Sequence, residues 1–233
     1  MVRSELIKRS PLRILEKAMG GSLGRGRIGV LASRKGVGKT ACLVHIATDK
    51  LFQNKPVIHV SYSSRVDYII NRYEDIFREI AKKRNLESAV DVHDDIIKNR
   101  VIMNFKQDGR QVDQVLNSVR AMTEHGRFPA EVIIVDGFDF VNADFAEFHK
   151  FHDFAGQIGA EVWFSASLRG DEPIFDEWGF PEVLKPFDAD IDVLITLGYK
   201  EDSIRLHLMK NGDKDVPGEL SIRFDPKTML IAE

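Results

Sequence analysis

Ser33-Arg34-Lys35-Gly36-Val37-Gly38-Lys39-Thr40 is the segment that most narrows what this chain can fold into. An apolar run at 28–32 precedes it. A stretch at 39–54 follows, in which Leu43, Val44, Ala47 and Leu51 recur at helical spacing. Strand, glycine-rich loop and helix start form the setting in which such a loop wraps a phosphate. Gly36 and Gly38 let the backbone turn its N–H groups inward. The helix start that follows, at Lys39, Thr40 and Ala41, adds partial positive charge. In this arrangement Lys39 reaches the outer phosphates and the Thr40 hydroxyl faces magnesium. The first loop position, ordinarily glycine, is Ser33.

A loop of this kind rests on a parallel sheet, and the rest of the chain has the pattern of one. Short runs rich in β-branched and aromatic residues stand at 28–32, 57–62, 101–105, 132–136, 162–166 and 193–197. Helical patterns at 39–54, 65–84, 87–98, 110–125 and 143–158 lie between most of them. This alternation predicts an α/β fold with a mostly parallel, doubly wound sheet. The stretches 203–210 and 219–224 instead alternate apolar and polar residues around a turn, which predicts a C-terminal antiparallel hairpin. Val132-Ile133-Ile134-Val135-Asp136 is an apolar strand ending in an acid, the form of a second nucleotide motif. Asp136 there holds magnesium through its water shell. Asp139 lies close by, as an outer partner or a loop cap.

The 233 residues divide into a basic lead-in, 1–26, and one nucleotide-binding domain, 27–233. A chain of this size buries a core without staples. Cys42 is the only cysteine, so no internal disulfide is possible and a reducing compartment is expected. Charges, serine and proline break up the apolar residues of the first 20 positions, leaving no secretory core segment. No stretch approaches the ~20 apolar residues of a membrane span. The expectation is a cytoplasmic protein with no membrane partner.

The two motifs and their surroundings resemble the RecA-like ATPase core shared by DnaB-type replicative helicases, RadA-type recombinases and KaiC-type clock ATPases. The likeness runs from Gly20-Gly21 through Arg27 and the loop, then through 148–166, 190–197, Lys210-Asn211-Gly212 and 218–225. It implies a RecA-like P-loop NTPase fold, with Walker A at 33–40 and Walker B ending at Asp136. It implies ATP or ADP as ligand, Mg2+ held by Thr40 and Asp136, and a homo-oligomer joined through the nucleotide face. It also puts Arg72 near the adenine base and Ser167 near a sensor position.

The departures from the family pattern concern hydrolysis. The family polarises the attacking water with a glutamate just after the second strand, where this chain has Ser63-Ser64. A hydroxyl has far too high a pKa to act as a base at neutral pH. Asp67, one helical turn on, is a substitute candidate or a charge at a helix start. The family also sends a Lys-x-Arg pair into the neighbouring subunit's site. Lys210 is present, but Gly212 stands at the arginine position. Such an arginine is worth ~10³ or more in rate. The catalytic residues are thus unassigned, with Asp67 and Lys210 as candidates. The expected function is an ATP-binding switch or assembly factor with weak or absent hydrolysis. The alternative is an active oligomeric ATPase, KaiC-like or helicase- or recombinase-like, with a displaced catalytic base.

Charge bears on the choice of partner. The net charge of -3 conceals a polar chain: residues 1–40 hold ten bases and two acids, and residues 136–190 hold three bases and thirteen acids. Phosphate contacts supply most nucleic-acid affinity. The loops that are basic in DNA-handling relatives are acidic here, which disfavours nucleic acid. Three further features stand outside the motifs. His149 and His152 have the spacing of two metal ligands on one helix face, with no third ligand apparent. Phe145, Phe148, Phe151 and Phe154 recur every three residues, so they drift around a helix and cannot all face one sheet. The stretch 169–187, with Trp178, prolines and acids, reads as a lid or a surface loop.

Overall fold

The apolar runs become strands, most of them buried on both faces as β-branched parallel strands are. β1 (Ile28–Arg34), β2 (Val57–Ser61), β3 (Arg100–Asn104), β4 (Val132–Asp136), β5 (Glu161–Leu168) and β6 (Val193–Lys200) pair in parallel. β7 (Ser203–Asn211), β8 (Gly218–Asp225) and β9 (Leu230–Ala232) continue the sheet antiparallel. The order is β3-β2-β4-β5-β1-β6-β7-β8-β9, nine strands among the described residues. The molecule is therefore an α/β protein with a mostly parallel sheet and a C-terminal antiparallel hairpin, extended by β9. These observations come from a computed structural model that describes residues 2–62, 66–83, 89–105, 112–168, 174–214, 216, 218–225, 227–228 and 230–232.

Strand alternation sorts the core into two faces. Leu31, Val57, Ile134, Trp163 and Ile195 point to one face, where α3 (Lys39–Phe52), α4 (Val66–Lys83) and α5 (Ala89–Lys98) lie. Val30, Ile58, Val135, Phe164 and Leu194 point to the other, under α6 (Val112–Glu124) and α7 (Phe145–Ile158).

The first 26 residues are more than a basic lead-in. They form α1 (Val2–Lys8) and α2 (Leu12–Met19), and Leu6, Leu12, Leu15, Met19 and Leu23 join the core around α3. Their charges serve that packing. Arg3 donates through Nε to Phe52 O (2.8 Å) and through Nη2 to Leu51 O (3.0 Å), satisfying carbonyls at the end of α3. Arg13 pairs with Asp49.

Except for Thr40, every residue of α3 is buried. β1, β4 and β5 lie beneath it, and α1, α4, α5 and β9 surround it. Its polar residues are matched accordingly. Lys50 Nζ meets Glu161 Oε1 at 2.6 Å. His45 Nδ1 accepts from the Ile231 N–H at 2.9 Å, tying β9 to the helix.

The opposite face is aromatic. Phe148, Phe151 and Phe154 of α7 are buried and Phe145 is 42% exposed, as the three-residue drift demands. Phe148 packs against Phe164 and Phe187 with ring centroids 5.2 and 5.3 Å apart. Phe187 belongs to a 3₁₀ segment, Glu182–Asp190, which docks on α7 with Leu184. The later part of the stretch read as a lid is thus packed structure, and 169–173 lie outside the described residues. No helix among the described residues is long and apolar enough to cross a membrane.

Candidate functional site

Parallel strands place their carboxyl ends on one edge of the sheet, where an α/β fold leaves its crevice. β1 ends at Ser33-Arg34 on that edge, and β4 ends there at Asp136. Lys35, Gly36 and Val37 form the turn, and Gly38 is the N-cap of α3. Gly36 and Gly38 have φ of +86° and +108°, a region that L side chains rarely adopt. Space adds a second demand at Gly38. A Cβ there would sit 2.7 Å from the Phe224 ring of β8, whereas at Gly36 nothing lies within 4 Å. The loop is seated on a phenylalanine on one side and open on the other.

Lys39 is buried beside its own loop. Nζ donates to Ser33 O (3.0 Å), Ser33 Oγ (3.3 Å) and Arg34 O (3.0 Å). Ser33, at the position where glycine is usual, therefore gives the ammonium an acceptor that glycine lacks. Thr40 opens the first turn of α3, and its Oγ1 donates to Asp136 Oδ2 at 2.8 Å. Ala41 is buried behind it. The structure thus brings 33–41 and Asp136 into one cluster, with hydroxyl and carboxylate in contact across 96 positions of sequence. A hydroxyl and a carboxylate held this way are hard oxygen donors of the type magnesium takes.

Ser165 completes the carboxylate's surroundings. Its Oγ donates to Asp136 Oδ1 at 2.6 Å and accepts from the Gly137 N–H at 2.8 Å. The family pattern points instead to Ser167, which pairs in register with Ser33 across β1 and β5. Strand alternation in 162–166 was the available signal for Ser165, because it shares the Trp163 face.

Beneath Asp136 on the same face lies His59, fully buried. Its Nδ1 is 3.1 Å from the Tyr73 hydroxyl, and Nε2 is buried without a hydrogen bond among the described residues. Burial holds this imidazole down at about 4, against the pull of the Asp136 carboxylate toward the charged form. The Arg100 guanidinium sits 4.3 Å from the Tyr73 ring centroid and adds to the depression of His59.

The remaining candidates sit on α4 and β7. Asp67 is exposed in the first turn of α4. Arg72, one turn further, stacks on Tyr68 at 5.2 Å and donates to its hydroxyl at 3.0 Å. Lys210 pairs in register with Leu194, near the amino-terminal start of β6 and so at the opposite edge from the loop. Its Nζ is held by Asp188, through the carbonyl (2.6 Å) and Oδ1 (2.8 Å). Lys210 is therefore placed away from its own loop and paired within the chain. Gly212 has a φ of +56°, a backbone conformation that favours glycine. Ser63 and Ser64 lie outside the described residues.

The Cys42 thiol, buried in α3, is pushed up to about 12 by desolvation. Compared with protein-family models and with curated proteins, the sequence finds no match.

Proposed function

We propose that this chain is a RecA-like P-loop protein that binds ATP or ADP with Mg2+ and acts as a nucleotide-dependent switch or assembly factor, with weak or absent hydrolysis. The observation that carries this reading is the 2.8 Å contact between Thr40 Oγ1 and Asp136 Oδ2, formed directly behind an open glycine turn. The residues present fit the ligand. Backbone N–H groups at Gly36, Gly38, Lys39 and Thr40 hold phosphate oxygens. Lys39 would meet the outer phosphates, and Thr40 with Asp136 would hold the metal ion. Magnesium supplies charge neutralisation on the phosphates. Arg72, stacked on Tyr68, is the candidate for the base.

Weak turnover follows from two positions. Ser63 stands where a base is needed, and Gly212 replaces the arginine that a neighbour would receive. The switch works as a homo-oligomer joined through the nucleotide face, in the cytoplasm, and the acidic 136–190 region turns nucleic acid away.

The test is nucleotide binding and phosphate release measured on the same preparation, with mass by light scattering with and without ATP. Binding should need Mg2+, and Lys39→Ala should weaken it by about a hundredfold or more, since it removes the loop's main phosphate contact. Equal binding by Lys39→Ala sinks the site assignment. Phosphate release should stay far below about 1 s⁻¹, the low end of ordinary enzymes. Turnover at or above that rate replaces the switch reading with a working ATPase.

A further inference from the structure

We infer that His149, His152 and Asp190 form a binding site for a zinc-class divalent ion that fastens the 3₁₀ segment to α7. The sequence offered two histidines three positions apart and no third ligand. The fold supplies it: Asp190, the last residue of the 3₁₀ segment, comes to the same spot from 41 positions away from His149. One ligand atom from each of the three residues lies within 4.8 Å of the other two. Ligands sharing one tetrahedral ion at ~2.1 Å stand about 3.4 Å apart, so small side-chain rotations close the set.

Each donor is prepared for this. His149 Nδ1 lies 2.8 Å from Asp190 Oδ2, and Asp190 is 5% exposed, so its carboxylate is already withdrawn from water. The His149 and His152 rings stack nearly parallel, 13° apart with centroids at 5.6 Å, which fixes both imidazoles on one side of α7. His152 Nδ1 is out of solvent and has no hydrogen bond among the described residues. A buried ring nitrogen without a partner costs free energy that a metal bond recovers. Asp153 Oδ1 lies 3.6 Å from His149 Nε2, the ring nitrogen turned away from Asp190, and 3.8 Å from His152 Nδ1.

Two imidazoles with a carboxylate select zinc-class ions over magnesium or calcium, which take oxygen sets. The site is on the α7 face, away from the loop, so it is independent of the nucleotide reading. It touches Lys210 indirectly. Asp188, two residues before Asp190, grips Lys210, so an ion bound at Asp190 stiffens the segment that holds that lysine.

The experiment is calorimetric titration of tag-free protein with Zn2+ in excess Mg2+, repeated with Co2+ to read the coordination from its visible absorption. One equivalent of Zn2+ should bind, and Co2+ should give the intense bands of a tetrahedral site. Loss of one ligand in His152→Ala should weaken binding by about tenfold or more. Because the His152 side chain is 39% exposed, this variant should keep the wild-type circular dichroism spectrum. His149→Ala should weaken binding similarly, and Zn2+ should raise Tm in wild type and not in either variant. The proposal is overturned if wild type binds no stoichiometric Zn2+. It is equally overturned if folded His152→Ala and His149→Ala both bind as tightly as wild type, which moves the ion elsewhere.

Discussion

The two faces of the sheet solve the same burial problem with different chemistry. The α3 face encloses a helix that still carries Lys39, His45, Asp49 and Lys50; Lys39 is matched by its own loop and the other three by partners from distant parts of the chain. The α7 face is closed by phenylalanines, with Phe138, Phe140, Phe148, Phe151, Phe164 and Phe187 in mutual ring contact. A buried ring that loses a neighbour leaves a cavity, whereas a buried ion that loses its partner leaves an unpaired charge. The fold thus places its charged contacts around the helix that carries the loop, and its aromatic ones on the other face of the sheet.

The contrast breaks most sharply under truncation. Phe148→Ala should cost about 3–5 kcal/mol in urea unfolding, since it opens a cavity among rings that cannot collapse onto it. Lys50→Met should cost a similar ~3–5 kcal/mol by leaving Glu161 charged and unpaired. The two differ in rescue. Adding Glu161→Leu to Lys50→Met should recover most of the loss, because the penalty came from the orphaned charge. If the double variant is no more stable than Lys50→Met alone, the pair is not what organises the α3 face.

Acid should act on the α3 face through His59. Its folded pKa is lowered to about 4 from an ordinary 6.5, so between those values the unfolded chain takes up a proton that the folded chain refuses. Stability from this group is present above pH 6.5 and is lost as pH falls toward 4, by about 3 kcal/mol at most. Denaturation midpoints followed from pH 7 to 4 should slope downward, and His59→Phe should flatten the slope. The smallest effect belongs to Ser165→Ala. It removes the hydroxyl that bridges the Gly137 N–H and Asp136 Oδ1, at about 1–3 kcal/mol. Mg2+-dependent nucleotide affinity should fall with it, while Ser167→Ala leaves both unchanged.

What the sequence disclosed follows the range of the interactions. The six parallel strands were legible because each carries a short apolar run, buried on both faces in β1, β2, β4 and β5 and half-buried in the edge strand β3. The loop was legible because its parts are adjacent in the chain. α1 and α2 were hidden by their charge, although Leu12, Leu15 and Met19 have helical spacing. Three-residue β9 has too little pattern to read. Ser165 beside Asp136, Phe224 beneath Gly38 and Asp190 beside His149 depend on strand register and helix docking, which no local pattern records.

The enclosure of α3 sets an order of events for folding. The helix can form locally as soon as residues 39–52 exist, but its cover is assembled from both ends of the chain. The His45–Ile231 contact joins positions 186 apart. The bond from Asn211 Nδ2 to Met19 O joins positions 192 apart. Contacts this distant close late, because the loop between them must be ordered first. Until synthesis reaches residue 231, the helix that carries Lys39 and Thr40 lacks one of its walls, with His45 and its apolar neighbours open to solvent. The phosphate loop's support is therefore completed by β9, and a nascent chain stopped before β9 should hold the loop motif without the fold that stiffens it.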